Sequence, residues 1–90
     1  MVDIEKVIQA IYNCLEDENI HPITDTVELE FYQGADIFME QGLMLHIKGK
    51  KDVFYQFGEY ADNVKDIFIS GEDILHNMAV EILTDINNNS

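Results

Sequence analysis

The stretch Thr26-Val27-Glu28-Leu29-Glu30-Phe31-Tyr32 alternates apolar and polar side chains without a break. A strand turns successive side chains to opposite faces, so Val27, Leu29 and Phe31 line one face and Thr26, Glu28, Glu30 and Tyr32 the other. This is a strand with one buried face and one wet face. The rest of the chain must then supply partner strands beside it and apolar elements to cover the buried side.

Downstream, Gln33-Gly34-Ala35-Asp36 is a turn signal, followed by an extended stretch. That stretch holds Ile37 to Glu40, then Gly42 as an expected bulge, then Leu43 to Lys48, with Leu43, Leu45 and Ile47 pointing one way. Gly49-Lys50-Lys51-Asp52 reads as a hairpin turn into a third strand, Val53 to Phe57. Its inward residues are Val53, Tyr55 and Phe57, and Phe54 and Gln56 point outward. The reading is a three-stranded antiparallel meander.

Helical periodicity flanks it on both sides. Val7, Ile8, Ile11, Tyr12 and Leu15 recur at helical spacing behind a capping Asp3, and this helix is expected to end near Asn19 because Pro22 cannot continue it. Tyr60, Val64, Ile67 and Phe68 give a short helix over Glu59 to Ile69, although Ile67-Phe68-Ile69 reads equally as a short strand. Ser70 and Asp73 resemble a capping box. Ile74, Leu75, Met78, Ala79, Ile82, Leu83 and Ile86 then form an unbroken apolar stripe, and Asn87 to Ser90 is expected to fray. The class is α+β, in the order α-β-β-β-(α)-α, with the helices packed on one face of the sheet and residues 1–90 forming a single acidic domain.

Charge narrows the function. Eighteen acidic residues against five basic ones give a formal net charge of -13 at pH 7, where solubility alone asks a small domain for a magnitude of about 2 to 8. All five basic residues are lysine, so the side chain best suited to fork onto phosphates or stack on bases is absent. Direct nucleic-acid binding is disfavoured, and a basic protein surface is the natural counterpart. The single cysteine, Cys14, forms no internal disulfide, and Met1 to Glu5 lacks the pattern of a signal peptide. No apolar run approaches the roughly 18 residues of a membrane span. A cytoplasmic setting without membrane association is expected.

Catalytic and metal signals are weak. His21, His46 and His76 stand far apart, none at zinc-ligand spacing from another ligand type, and they read as a loop residue, an exposed strand residue and the polar face of the last helix. Cys14 reads as an inert thiol beside an apolar stripe. The five glycines are scattered at turns and build no phosphate-cradling loop. No cofactor, metal or enzymatic activity is expected.

The acids fall into groups with different explanations. Glu16, Asp17 and Glu18 crowd the last turn of the first helix, where negative charge opposes the helix dipole at about 0.3 to 1 kcal/mol each. Glu59, Asp62, Asp66, Glu72 and Asp73 straddle the approach to the last helix, where Glu72 and Asp73 are explained by the helix start. Asp62 and Asp66 form a like-charge pair four residues apart. The outer sheet face mixes Glu28, Glu30, Tyr32 and Glu40 with Phe38, Met44, His46, Lys48, Phe54 and Gln56, a blend of aromatic anchors and steering charges that interfaces use. The bland alternatives are solubility for the acids, and coverage of Phe38 and Phe54 by the Glu59 to Ile69 segment.

Glu28 and Glu30 present carboxylates about 6.6 Å apart along the strand, a spacing of the same order as successive phosphates on one nucleic-acid strand. With its size, its charge and its lack of arginine, the chain resembles in build the small acidic phage-encoded anti-defence proteins, anti-CRISPR inhibitors among them. Several of those act as DNA mimics, and the group shares no motif that would carry residues across. The resemblance implies a protein inhibitor working in the host cell cytoplasm, with a CRISPR effector or nuclease as the basic partner. The expected contact residues are Glu28, Glu30, Tyr32, Glu40 and Phe54, with Glu16, Asp17, Glu18, Asp62 and Asp66 as further acidic candidates. An immunity or antitoxin protein neutralising a basic nuclease would share this charge logic. A homodimer or other homo-oligomeric module, pairing the open sheet face or the last helix, is the reading from a different class.

Overall fold

Asp3 accepts a hydrogen bond from the Lys6 backbone N–H at 3.1 Å and caps the first helix, α1, which runs Ile4–Asp17. Such a cap is worth about 1 kcal/mol. The computed structural model describes residues 2–34, 41–62, 67 and 72–89. Along α1 the buried residues are Val7, Ala10, Ile11, Cys14 and Leu15, one stripe at the expected spacing. The helix stops short of Asn19 because Glu18 turns left-handed at φ 53° and returns its N–H to the Cys14 carbonyl at 2.9 Å.

The chain then enters a strand that the sequence reading lacks: β1, Ile20–Thr24. Pro22 argues against a central strand, having no N–H to donate. At a sheet edge that loss costs little, and β1 is an edge strand pairing only with the next one. Ile20 is exposed, so no burial pattern marks the strand either. The expected three-stranded meander is thus a four-stranded antiparallel sheet, in the order β1-β2-β3-β4.

The other strands are β2, Val27–Gln33; β3, Gln41–Ile47; and β4, Val53–Gln56. Their registers place Val27 opposite Ile47, Leu29 opposite Leu45, Phe31 opposite Leu43, and Leu43 opposite Tyr55. These form the inner face, as the alternation requires. Leu29, Leu43 and Leu45 are fully buried, each worth about 1.5 to 3 kcal/mol relative to exposure. The β3–β4 turn uses Gly49 at φ 82°, a conformation that favours glycine.

Gly42 is not a bulge. It pairs regularly with Tyr32 on one side and Gln56 on the other. Glycine is required for space: a Cβ there would collide with the Tyr55 carbonyl oxygen and lie 2.6 Å from the Phe54 ring.

β4 stops one residue short of the expected Phe57, which instead opens a 3-10 turn over Phe57–Glu59 and packs against Phe31 with ring centroids 5.8 Å apart. The last helix, α2, spans Glu72–Asn88 and buries Leu75, Met78, Ala79, Ile82 and Ile86; it runs further than the fraying expected from Asn87. Helix α1 packs on α2, β1 and β2, and the helices and inner sheet face share one core. The Tyr55 hydroxyl donates to Asp85, and the Tyr60 hydroxyl to Glu81, tying the end of the sheet to α2. The expected strand over Ile37 to Glu40, the Ser70/Asp73 cap and most of Glu59 to Ile69 lie outside the described residues. Within that last segment Ile67 is fully buried in the core.

Candidate partner-binding face

On the outer face the registers build three rows. Glu28 stands opposite His46 and Pro22; Glu30 stands between Ile20 and Met44, with Phe54 beyond; Tyr32 stands opposite Gly42, with Gln56 beyond. The expected sharing of this face by Glu28, Glu30, Tyr32, Met44, His46, Phe54 and Gln56 follows from that register.

The face has two chemically distinct ends. At one end the Tyr32 and Phe54 rings meet edge to face, their centroids 5.3 Å apart, and Phe54 spans the space that Gly42 leaves open. Tyr32, Phe54 and Ile20 each retain 40% exposure, three of the five large apolar side chains so exposed among the described residues. Phe54 is therefore not buried by the described residues; most of the Glu59 to Ile69 segment expected to cover it lies outside them. The chain turns toward the other layer at this point, since Phe57 is in the core and Tyr60 reaches Glu81.

At the other end are the acids. His46 Nε2 lies 2.8 Å from Glu30 Oε1, and His46 Nδ1 lies 2.9 Å from Asp52 Oδ1. A carboxylate only accepts, so two carboxylates set against the two ring nitrogens favour the doubly protonated ring. Burial alone would lower the His46 pKa, but the hydrogen bonds to Glu30 and Asp52 and their charges outweigh it and hold it above the ordinary 6.5. Glu28 is exposed, and its carboxylate makes no hydrogen bond to a described residue. Beside it a surface depression of about 450 Å³ is lined by Pro22, Thr24, Thr26, Glu28, His46 and Lys48 among others.

The remaining expected contact residues do not join this face. Glu16, Asp17 and Glu18 end α1, in the helical layer. Asp17 serves the fold, because both its oxygens take the His21 Nε2–H, at 2.7 and 2.9 Å, and Oδ1 also accepts from the Asn19 N–H at 3.1 Å. His21 is thus an edge-strand residue held by a carboxylate and no loop histidine. Asp62 is exposed beyond the 3-10 turn; Glu40 and Asp66 lie outside the described residues. His46, Asp52 and Ile20 are members of the face that the candidate set lacks. The alternation places His46 there as a plain exposed residue, and only the β2–β3 register shows Glu30 within reach of its ring.

Other chemistry is quiet. Cys14 is fully buried, its Sγ–H donates to the Leu29 carbonyl at 3.2 Å, and burial pushes its pKa up to about 12, which suppresses the thiolate. Among the described residues no group of three or more His, Cys, Asp or Glu side chains is arranged to hold a metal ion. No helix among them is long and apolar enough to cross a membrane. Compared with family models, curated proteins and solved structures, the chain matches none, so the face has to be read from its own chemistry.

Proposed function

We propose that this domain is a non-enzymatic inhibitor that docks the outer face of its sheet on a basic, nucleic-acid-binding surface of another protein in the cytoplasm. The observation that carries the reading is the sharing of one face, uncovered among the described residues, by exposed aromatics, Tyr32 and Phe54, and the carboxylates of Glu28, Glu30 and Asp52. Aromatic side chains supply contact area at small entropic cost, and carboxylates steer a cationic groove and fix its orientation. The net charge of -13 supports the same partner class, and an anti-defence inhibitor facing a CRISPR effector or nuclease is the role that fits it. A second copy of the chain fits poorly, because a face-to-face dimer would bring like carboxylates together within two acidic molecules.

The test is capture of partners from host lysate, followed by titration of the recovered protein against Glu28→Lys, Glu30→Lys and the double variant. Affinity should fall steeply with ionic strength and collapse in the double variant; Glu28→Lys, at an exposed site, should leave stability within about 0.5 kcal/mol, whereas Glu30→Lys, which loses the His46 contact, should cost up to about 1 kcal/mol. Salt-independent binding, or full binding by the double variant, would remove the outer face from the mechanism.

A further inference from the structure

The His46 ring sits where an incoming cation would be placed, with one carboxylate from the neighbouring strand, Glu30, at Nε2 and one from the turn before β4, Asp52, at Nδ1. When protonated it directs both its N–H donors at them. A lysine or arginine of a basic partner would seek those same oxygens. We infer that docking of a cationic partner on the outer sheet face is coupled to loss of the proton from His46, so that the domain releases its partner as the pH falls. This rests on the outer face being the docking surface.

The groups around the ring are few. Glu28 faces it directly across the β2–β3 register, Glu30 diagonally, and Asp52 from the turn; Lys48 follows two residues on, just past the end of β3. The helices pack on the opposite, inner side of the sheet, and the charges that act on the ring are those of Glu30 and Asp52. With the ring protonated, three carboxylates and one imidazolium leave the acid end less negative than its composition suggests. A partner cation close by raises the free energy of the protonated ring, because like charges a few ångströms apart repel, and competes with the ring for Glu30 and Asp52. Both effects lower the His46 pKa in the complex below that of the free domain. Between the two values, binding expels a proton and affinity rises with pH, by at most about tenfold per pH unit for one proton. The hydrogen bonds that raise the free-state value make the coupling larger, since they are the bonds the partner takes over.

The experiment uses the intact protein with nona-arginine peptide as the cationic probe. The His46 ring protons are followed by NMR against pH, free and saturated with peptide, and amide shifts map where the peptide sits. Calorimetry in buffers of different ionisation enthalpy counts the protons exchanged. Amide changes on the outer faces of β2, β3 and β4, a His46 midpoint that drops on saturation, and proton release absent in His46→Gln would bear the coupling out. If the peptide maps to the outer face but the His46 midpoint stays or rises, the coupling is wrong and the docking face stands. Amide changes confined to the α1 end, or no binding, would overturn both. The wild-type titration needs no variant, so a misfolded His46→Gln would not blunt the test.

Discussion

Strand β2 carries two surfaces in alternate residues, and they behave differently. Inward, Val27 and Leu29 are buried and Phe31 meets Phe57 at 5.8 Å; outward, Glu28 is exposed, Glu30 engages His46, and Tyr32 meets Phe54 at 5.3 Å. Each face holds one aromatic pair at similar separation, so local pairing does not distinguish them. Closure does: Phe57 is fully buried in the core, whereas Tyr32 and Phe54 each remain 40% exposed. The inner face is explained by the free energy of folding. The outer face keeps apolar surface that nothing in the described chain covers, beside carboxylates that a stable sheet does not require.

The strongest way to break this contrast is to truncate one residue on each face. Leu29→Ala removes a fully buried side chain at the centre of the sheet and should cost about 2 to 5 kcal/mol in urea unfolding. Phe54→Ala should cost about 1 kcal/mol or less, since much of its ring already contacts water and surface substitutions are usually mild. Equal losses would mean that the outer face is covered and belongs to a second core.

A smaller effect is expected at the other acidic group. Glu18 holds a left-handed backbone at φ 53° as a non-glycine residue, and its charge lies at the negative end of the α1 dipole. Glu18→Gly should therefore stabilise the fold by about 0.5 to 1 kcal/mol, part of the relief being offset by the greater freedom of glycine in the unfolded chain. A rise in thermal midpoint would show that this acid is kept at a cost to folding, while its neighbour Asp17 serves the fold by holding His21.

How legible these surfaces are depends on how far apart in sequence their parts lie. Strand parity alone separates Leu29 from Glu28 and Tyr55 from Phe54, so the two faces of the sheet can be read directly. Parity says nothing of register. The connection between Gln33 and Gln41 has no recognisable hairpin length, so the diagonal meeting of Glu30 and His46 has no local signal. Gly42 is ambiguous for a related reason: a glycine within a strand marks either a bulge or a close approach, and the approach of Phe54 and the Tyr55 carbonyl is a cross-strand fact. Strand β1 stays hidden because Pro22 breaks central strands, and nothing local declares a strand to be an edge.

The smallest predicted effect tests the assignment on which the acid end of the outer face depends. If His46 is an imidazolium between Glu30 and Asp52, its folded-state pKa lies above the 6.5 of the unfolded chain. A group raised in this way binds its proton more tightly when folded, so its contribution to stability is fully present below about pH 6.5 and fades as pH rises through the folded-state value. The side chains are 27%, 41% and 52% exposed, and solvent screening holds the contribution to about 0.2 to 1 kcal/mol. Urea midpoints of wild type and His46→Gln should therefore differ most in mildly acidic buffer and converge in alkaline buffer. A difference that stays constant with pH would mean that His46 serves as a neutral packing residue, with no positive charge to offset the carboxylates of the acid end. A difference that converges would show that the fold gains little from the bridge at the pH where a cation most easily takes over its carboxylates.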